Sequence, residues 1–287
     1  ESSRLAANAT YDFLGKQNFV VCQRSKSKFV TNISNAATKL IRESGKRMGI
    51  DKWNPADIWL VKKSFLSHNF KQYTSILDLN EFLYKAYKSK DIVGVSLKAT
   101  KKKASVKIFN DGIKQEFKYE GYRAGASFVK AMGNQIFFTG GKITFRLFGK
   151  PADVIGEIDG KHAQGGKVGG GPLFRIITEH DPKFNVPKWK SIMAMYENKP
   201  AFVVKHLYGL MKDLAPGEAR GITEDEYAEA IAEKPNTESY VISKWHASEV
   251  VKSFEKMKPE VRNDCIKEIL GYASSSTEIS SIFIKVS

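Results

Sequence analysis

Apolar positions along the chain recur first at helical spacing. Leu5 to Gly15 predicts a short helix, and Ile33 to Met48 a longer one. In the second, Ala36, Ala37, Leu40, Ile41 and Met48 share a face, and Asn32 or Ser34 is placed to cap it. The turn Trp53-Asn54-Pro55-Ala56 then gives way to Asp57-Ile58-Trp59-Leu60-Val61, a short, apolar, β-rich run that predicts a buried strand. Ser75 to Lys88 returns to helical periodicity, and Ile92 to Lys98 predicts a second buried strand ending in polar residues. Ala104–Asn110 and Ile113–Tyr119 alternate on either side of Asn110-Asp111-Gly112, a hairpin signal. Lys142–Phe148 and Val154–Ile158 add two strands.

The last third is helical, over Phe202–Leu214, Thr223–Lys234, Ala247–Met257 and Glu260–Leu270, and Ser281–Val286 closes as a strand. Thr223 and Glu226 stand at capping-box spacing. Pro259 and Gly271 punctuate the final helices. This order predicts an α+β (or α/β) fold with a mixed central sheet flanked by helices. With 287 residues and no evident linker, one compact domain is expected, with a core over about 33–160, a Gly-rich loop over 160–171 and a helical portion over 200–287.

Charge changes this picture. The chain carries 46 Lys+Arg against 31 Asp+Glu, a net +15. Between Lys85 and Lys150 stand 15 basic residues and four acidic ones. A basic segment of that density predicts a polyanion partner, because neutralising phosphates releases condensed counterions. Nucleic acid, DNA in particular, is the expected partner. No apolar run is long enough to span a bilayer, and the lysines do not line an amphipathic helix, so no membrane partner is expected. The two cysteines, Cys22 and Cys265, predict free thiols in a reducing, cytoplasmic compartment, or a virion-associated protein if the source is viral. The start, Glu1-Ser2-Ser3-Arg4, lacks Met and an apolar signal core and reads as trimmed. The five histidines show no ligand spacing, so zinc is not expected. A homo-oligomer is left open.

Two polar intrusions into buried strands carry the candidate chemistry. Asp57 opens the first strand and Ser96-Leu97-Lys98 closes the second. A carboxylate at that edge suits Mg²⁺, which prefers oxygen donors, and a neighbouring lysine suits a developing phosphorane charge. Pro55-Ala56-Asp57 followed after a helix by Ser96-Leu97-Lys98 resembles the PD-(D/E)XK nuclease superfamily, over about residues 35–110. The resemblance implies a restriction-endonuclease-like core and Mg²⁺-dependent endonuclease activity. It implies catalytic roles for Asp57, Ser96 and Lys98, with metal held by Asp57 and the Leu97 carbonyl. Ser96 stands where the family has its second acid, and Glu43 or Glu157 is the candidate replacement.

Gly156 to Gly171 is the second candidate. Its glycines permit close backbone approach to phosphate, but the spacing ends in Lys167-Val168 and is not a Walker A loop. No helical pattern is read after it, which also sets aside a dinucleotide fingerprint. It predicts a basic loop that closes over a nucleic-acid backbone through Lys161, Gly165, Gly166 and Lys167. Lys101, Lys102, Lys103 and Arg123 complete the expected nucleic-acid contacts, with Tyr119 and Tyr122 as stacking candidates. The alternatives are a non-catalytic nucleic-acid-binding or genome-associated structural protein, and an enzyme on a phosphorylated small molecule.

Overall fold

The computed structural model describes residues 1–99, 103–112, 122–129, 136–140, 143–150, 153–159 and 166–287. In chain order the elements are α1 (Ser2–Leu14), β1 (Phe19–Gln23), α2 (Lys28–Glu43), α3 (Ile50–Trp53), β2 (Ile58–Lys62), α4 (Ile76–Lys88), β3 (Ile92–Leu97) and β4 (Val106–Phe109). There follow β5 (Arg123–Ala126), β6 (Ile136–Gly140), β7 (Ile143–Lys150), β8 (Asp153–Asp159), β9 (Gly166–Gly169), α5 (Gly170–His180), α6 (Trp189–Asn198) and α7 (Pro200–Leu214). The chain closes with α8 (Pro216–Ala219), α9 (Glu224–Ala232), α10 (Thr237–Lys256), α11 (Pro259–Ser274) and β10 (Phe283–Val286). The fold class is mixed α+β, as the pattern predicts. Where the sequence reading expects one domain, the chain divides into two compact units, Glu1–Glu116 with Ser275–Ser287, and Phe117–Ser274.

The first unit is built on a mixed sheet in the order β1-β2-β3-β10-β4. Its pairs are antiparallel except β3 with β10, which run parallel. α2 buries Phe29, Val30, Ile33, Ala37, Leu40 and Ile41, and α4 buries Ile76, Leu79, Leu83, Ala86 and Tyr87. α2 begins and ends earlier than the periodicity alone suggests. Phe29 and Val30 extend the buried stripe back by a turn, and Gly45, at φ 74°, takes the left-handed conformation that stops it. β4 occupies the first arm of the expected hairpin, and Asn110 and Gly112 adopt positive φ at its turn. The second arm, 113–119, lies outside the described residues.

In the second unit β5-β6-β7-β8-β9 form an antiparallel meander. α10 packs across β6, β7 and β8, while α11 and α5 pack against β8 and β9. α10 starts at Thr237, ten residues before the expected Ala247, with the Asn236 side chain accepting from the Ser239 amide. Buried Ser239, Ser243, Lys244 and His246 interrupt its apolar pattern, which is why sequence periodicity misses this half. At α9 the capping box forms as expected. Thr223 N donates to Glu226 at 2.7 Å, and Glu226 N donates to Thr223 Oγ1 at 3.2 Å.

The Gly-rich segment departs from expectation. Residues 160–165 lie outside the described set, but Gly166–Gly169 is strand β9, paired with β8, and α5 starts at Gly170. A helix does therefore follow the glycines. A Cβ on Gly166 would stand 2.3 Å from the Ala273 carbonyl oxygen, so packing against the end of α11 demands glycine there. Gly166→Ala is expected to destabilise the protein by ~1–3 kcal/mol through overpacking against backbone that cannot swing aside. A urea-unfolding midpoint unchanged from wild type is the contrary result.

No helix among the described residues is long and apolar enough to cross a membrane. Cys22 and Cys265 are both buried free thiols.

Candidate nucleic-acid site at the end of the first sheet

The site is assembled around Asn54, buried at the entrance to β2. Its side-chain amide donates to Ser281 Oγ at 2.6 Å and the Ile282 carbonyl at 3.1 Å, and its oxygen accepts from Ala56 N at 2.9 Å. The Trp53 carbonyl accepts from Ser281 N at 2.9 Å, and Trp53 Nε1 donates to Asn80 at 2.8 Å. These bonds tie the turn before β2 to the turn before β10, two segments far apart in the chain. Gly94 lets this turn approach β3, since a Cβ there would stand 3.2 Å from Ala56 Cβ.

Asp57 follows directly. Its amide donates to the Val95 carbonyl at 2.9 Å, and its Oδ2 accepts from Leu97 N at 2.7 Å. The exposed Asp57 carboxylate is thus held against the end of β3, one residue before Lys98, whose own amide donates to the Val286 carbonyl at 2.9 Å. Ser96 is buried, and register places it opposite Lys285 of β10, which in turn stands opposite Lys107 of β4. Asp57, Ser96, Leu97 and Lys98 are therefore brought to one sheet end, as the sequence suggests.

What the sequence reading misses is the company they keep. Lys52 of α3 is pulled down to about 8, first by burial, against the attraction of Asp51 and with repulsion from Lys98. Lys285 is also held below the ordinary lysine value, by burial first and then by Lys98 and Lys107. Lys52, Lys98, Lys285 and Lys107 thus form a chain of mutually repelling cations around the end of β3, a local positive potential that favours a polyanion. A lysine isolated between Ile284 and Val286 in an apolar strand is the one sequence signal for Lys285. Its neighbours are set by sheet order alone.

Other expected residues lie elsewhere. Glu43 ends α2 and pairs with Lys39 at 3.7 Å. Glu157 belongs to the second unit, where Arg146 at 2.7 Å and Lys167 at 3.1 Å hold it in an ion-pair network. Neither is recruited to Asp57 by any of these bonds. Arg123, exposed, opens β5 in the second unit, and Tyr122 is half-buried beneath Arg262, 4.2 Å from its ring centre, rather than presented for stacking. Gly166 is a packing glycine, and Lys167 is exposed on β9. Lys103 is exposed ahead of β4. Lys101, Lys102, Tyr119, Lys161 and Gly165 lie outside the described residues.

Comparison with protein-family models, curated proteins and solved structures finds no match. Among the described residues, no three His, Cys, Asp or Glu side chains gather to hold a metal ion. Mg²⁺ nevertheless binds through as few as one or two carboxylates, completing its shell with water and substrate phosphate oxygens. Asp57 offers one such carboxylate, and the Leu97 carbonyl is a neutral oxygen donor at the same strand end. They fit a metal that arrives with its phosphate rather than one caged by protein.

Proposed function

We propose that the end of the first sheet binds the phosphate backbone of DNA and that Asp57 and Lys98 support Mg²⁺-dependent hydrolysis of a phosphodiester there. The observation that carries this reading is the Asp57 carboxylate, bonded to Leu97 N at 2.7 Å beside Lys98, within a lysine cluster. The resemblance to PD-(D/E)XK nucleases at the same residues supports it.

In this reading Asp57 and the Leu97 carbonyl would hold the metal. The ion would supply Lewis-acid polarisation of a phosphoryl oxygen and a more acidic water. Lys98 balances charge developing on the phosphate, and Lys52, Lys285 and Lys107 draw the backbone toward it. The hydrogen bond from Leu97 N fixes the carboxylate before substrate arrives, which lowers the cost of ordering the site.

A second reading has its own observation in its favour, since four lysines surround the site while Glu43 and Glu157 are paired elsewhere. It makes the protein a non-catalytic, genome-associated nucleic-acid binder. Incubation with supercoiled plasmid in MgCl₂ and in EDTA separates the two. Nicking or linearisation that requires MgCl₂ is expected. Tight binding that weakens steeply between low and high salt, without cleavage, leaves only the binder. Absence of both ends the nucleic-acid assignment.

A further inference from the structure

A second cleft of the first unit lies between α2 and the segment following β2. Its volume is about 610 Å³, within the range of small-molecule sites. Lys28, Asn32, Asn35 and Lys39 line one wall. They sit at spacings of four, three and four residues, and so form one stripe along α2. The opposite wall carries His68, Lys71 and Tyr73. Three lysines therefore line this cleft, and among the described residues no carboxylate lines it. Lys39 pairs with Glu43 at 3.7 Å, and both side chains are largely solvated there.

The aromatic wall is built rather than incidental. The His68 ring stacks on Phe82 with centres 4.3 Å apart and planes 7° from parallel. His68 Nε2 lies 2.9 Å from Tyr73 Oη and 3.2 Å from Gln72 Nε2. Phe70, buried, packs edge-on to His68 and to Phe29 of α2, so the wall is anchored in the core. Burial lowers the His68 pKa and raises that of Tyr73, keeping both rings neutral near pH 7. A neutral aromatic surface suits a heterocycle. The lysines suit an anion, and the amides of Asn32 and Asn35 offer both donors and acceptors to base edges.

We propose that this cleft is a binding site for a nucleoside phosphate, its base against the His68–Tyr73 wall and its phosphate among Lys28, Lys39 and Lys71. The site shares no residue with the Asp57–Lys98 end of the sheet. The inference stands whether or not that end is hydrolytic.

Two sources could present this chemistry, a free nucleotide or one unit of a single strand. Titrations of the full chain in EDTA with dAMP, with inorganic phosphate and with fluorescein-labelled (dT)₈ tell them apart. Working without metal keeps hydrolysis out of the titration, and the cleft variant separates this site from the lysines at the end of β3. Binding of dAMP or of (dT)₈ at least ~10-fold tighter than inorganic phosphate is expected, together with at least ~10-fold loss in the double variant Lys39→Glu/Lys71→Glu, since two charge-assisted contacts are removed. The reversal Lys256→Glu/Lys258→Glu, on exposed lysines that do not line the cleft, is expected to change the affinity less than about twofold. Three results overturn the site. They are binding no tighter than that of phosphate, affinity unmoved by the cleft variant, and equal losses in both double variants. Preference for dAMP assigns the site to free nucleotides, and preference for (dT)₈ assigns it to a strand.

Discussion

Asp57→Ala is expected to reduce Mg²⁺-dependent plasmid cleavage by at least ~10²–10³-fold, the range seen when one preorganised electrostatic group leaves an active site. DNA affinity is expected to hold or rise at the same time. The Asp57 carboxylate sits beside Lys98 and the cations coupled to it, so deleting it removes the negative charge that opposes the phosphate backbone. Lys98→Ala is expected to lower cleavage and affinity together and to flatten the salt dependence, because it deletes a cation from the same cluster. The split between the two variants is the diagnostic feature. An Asp57 carboxylate with only a structural role, accepting from Leu97 N in an exposed setting, costs about 1 kcal/mol of stability when lost and leaves turnover intact. Cleavage by Asp57→Ala at the wild-type rate would falsify the hydrolytic reading. Circular dichroism of both variants establishes that they are folded.

The second large effect concerns stability. Lys244, fully buried in α10, donates to the Ser127 carbonyl and lies over the rings of Phe128 and Tyr240, at 5.2 and 5.7 Å. Glu218 faces the same segment, accepting from Phe128 N at 2.7 Å and Val129 N at 2.9 Å. Tyr240 Oη donates to the Phe128 carbonyl at 2.6 Å and lies 2.8 Å from Tyr227 Oη. Burial pulls Lys244 down to about 7. Attraction to Glu218 opposes that fall and repulsion from Lys234 adds to it.

A lysine depressed in the folded state binds fewer protons there than in the unfolded chain between about pH 7 and its ordinary value of 10.5. Stability therefore rises with pH across that window, and the full cost of charging the buried amine is present below it. Lys244→Met removes the titration and keeps much of the packing. The variant is expected to exceed wild type in unfolding free energy by ~1–4 kcal/mol at pH 6, with the advantage shrinking toward pH 9. Urea unfolding at the two pH values checks this. A difference between variant and wild type that does not move with pH means that Lys244 stays charged in the fold at both values, which overturns the depressed pKa.

The elements that read correctly are those whose signal is local. α4 and β3 match their patterns to within a residue, because a buried stripe at period 3.6 and an unbroken apolar run are written in consecutive residues. The pairing of Asp57 with the Ser96–Lys98 strand end was legible for the same reason, since polar residues stand where apolar ones are expected. The first half of α10 was not legible. A helix surrounded by protein needs no polar face, and Lys244 and His246 in its buried surface erase the period. The cleft beside α2 was likewise hidden, because its two walls are unremarkable polar stretches until packing opposes them.

Residue order by itself determined the mixed α+β character, the excess of positive charge and the acid and lysine at the mouths of two buried strands. Only tertiary structure decided that the chain's last strand inserts between β3 and β4, bringing Lys285 beside Ser96 and Lys107, and that Glu157 is committed to Arg146 and Lys167. The reason is physical. A strand's own alternation specifies which residues face inward, but its neighbour is chosen by the burial and hydrogen bonding of distant segments, here through Asn54 and Ser281, 227 residues apart.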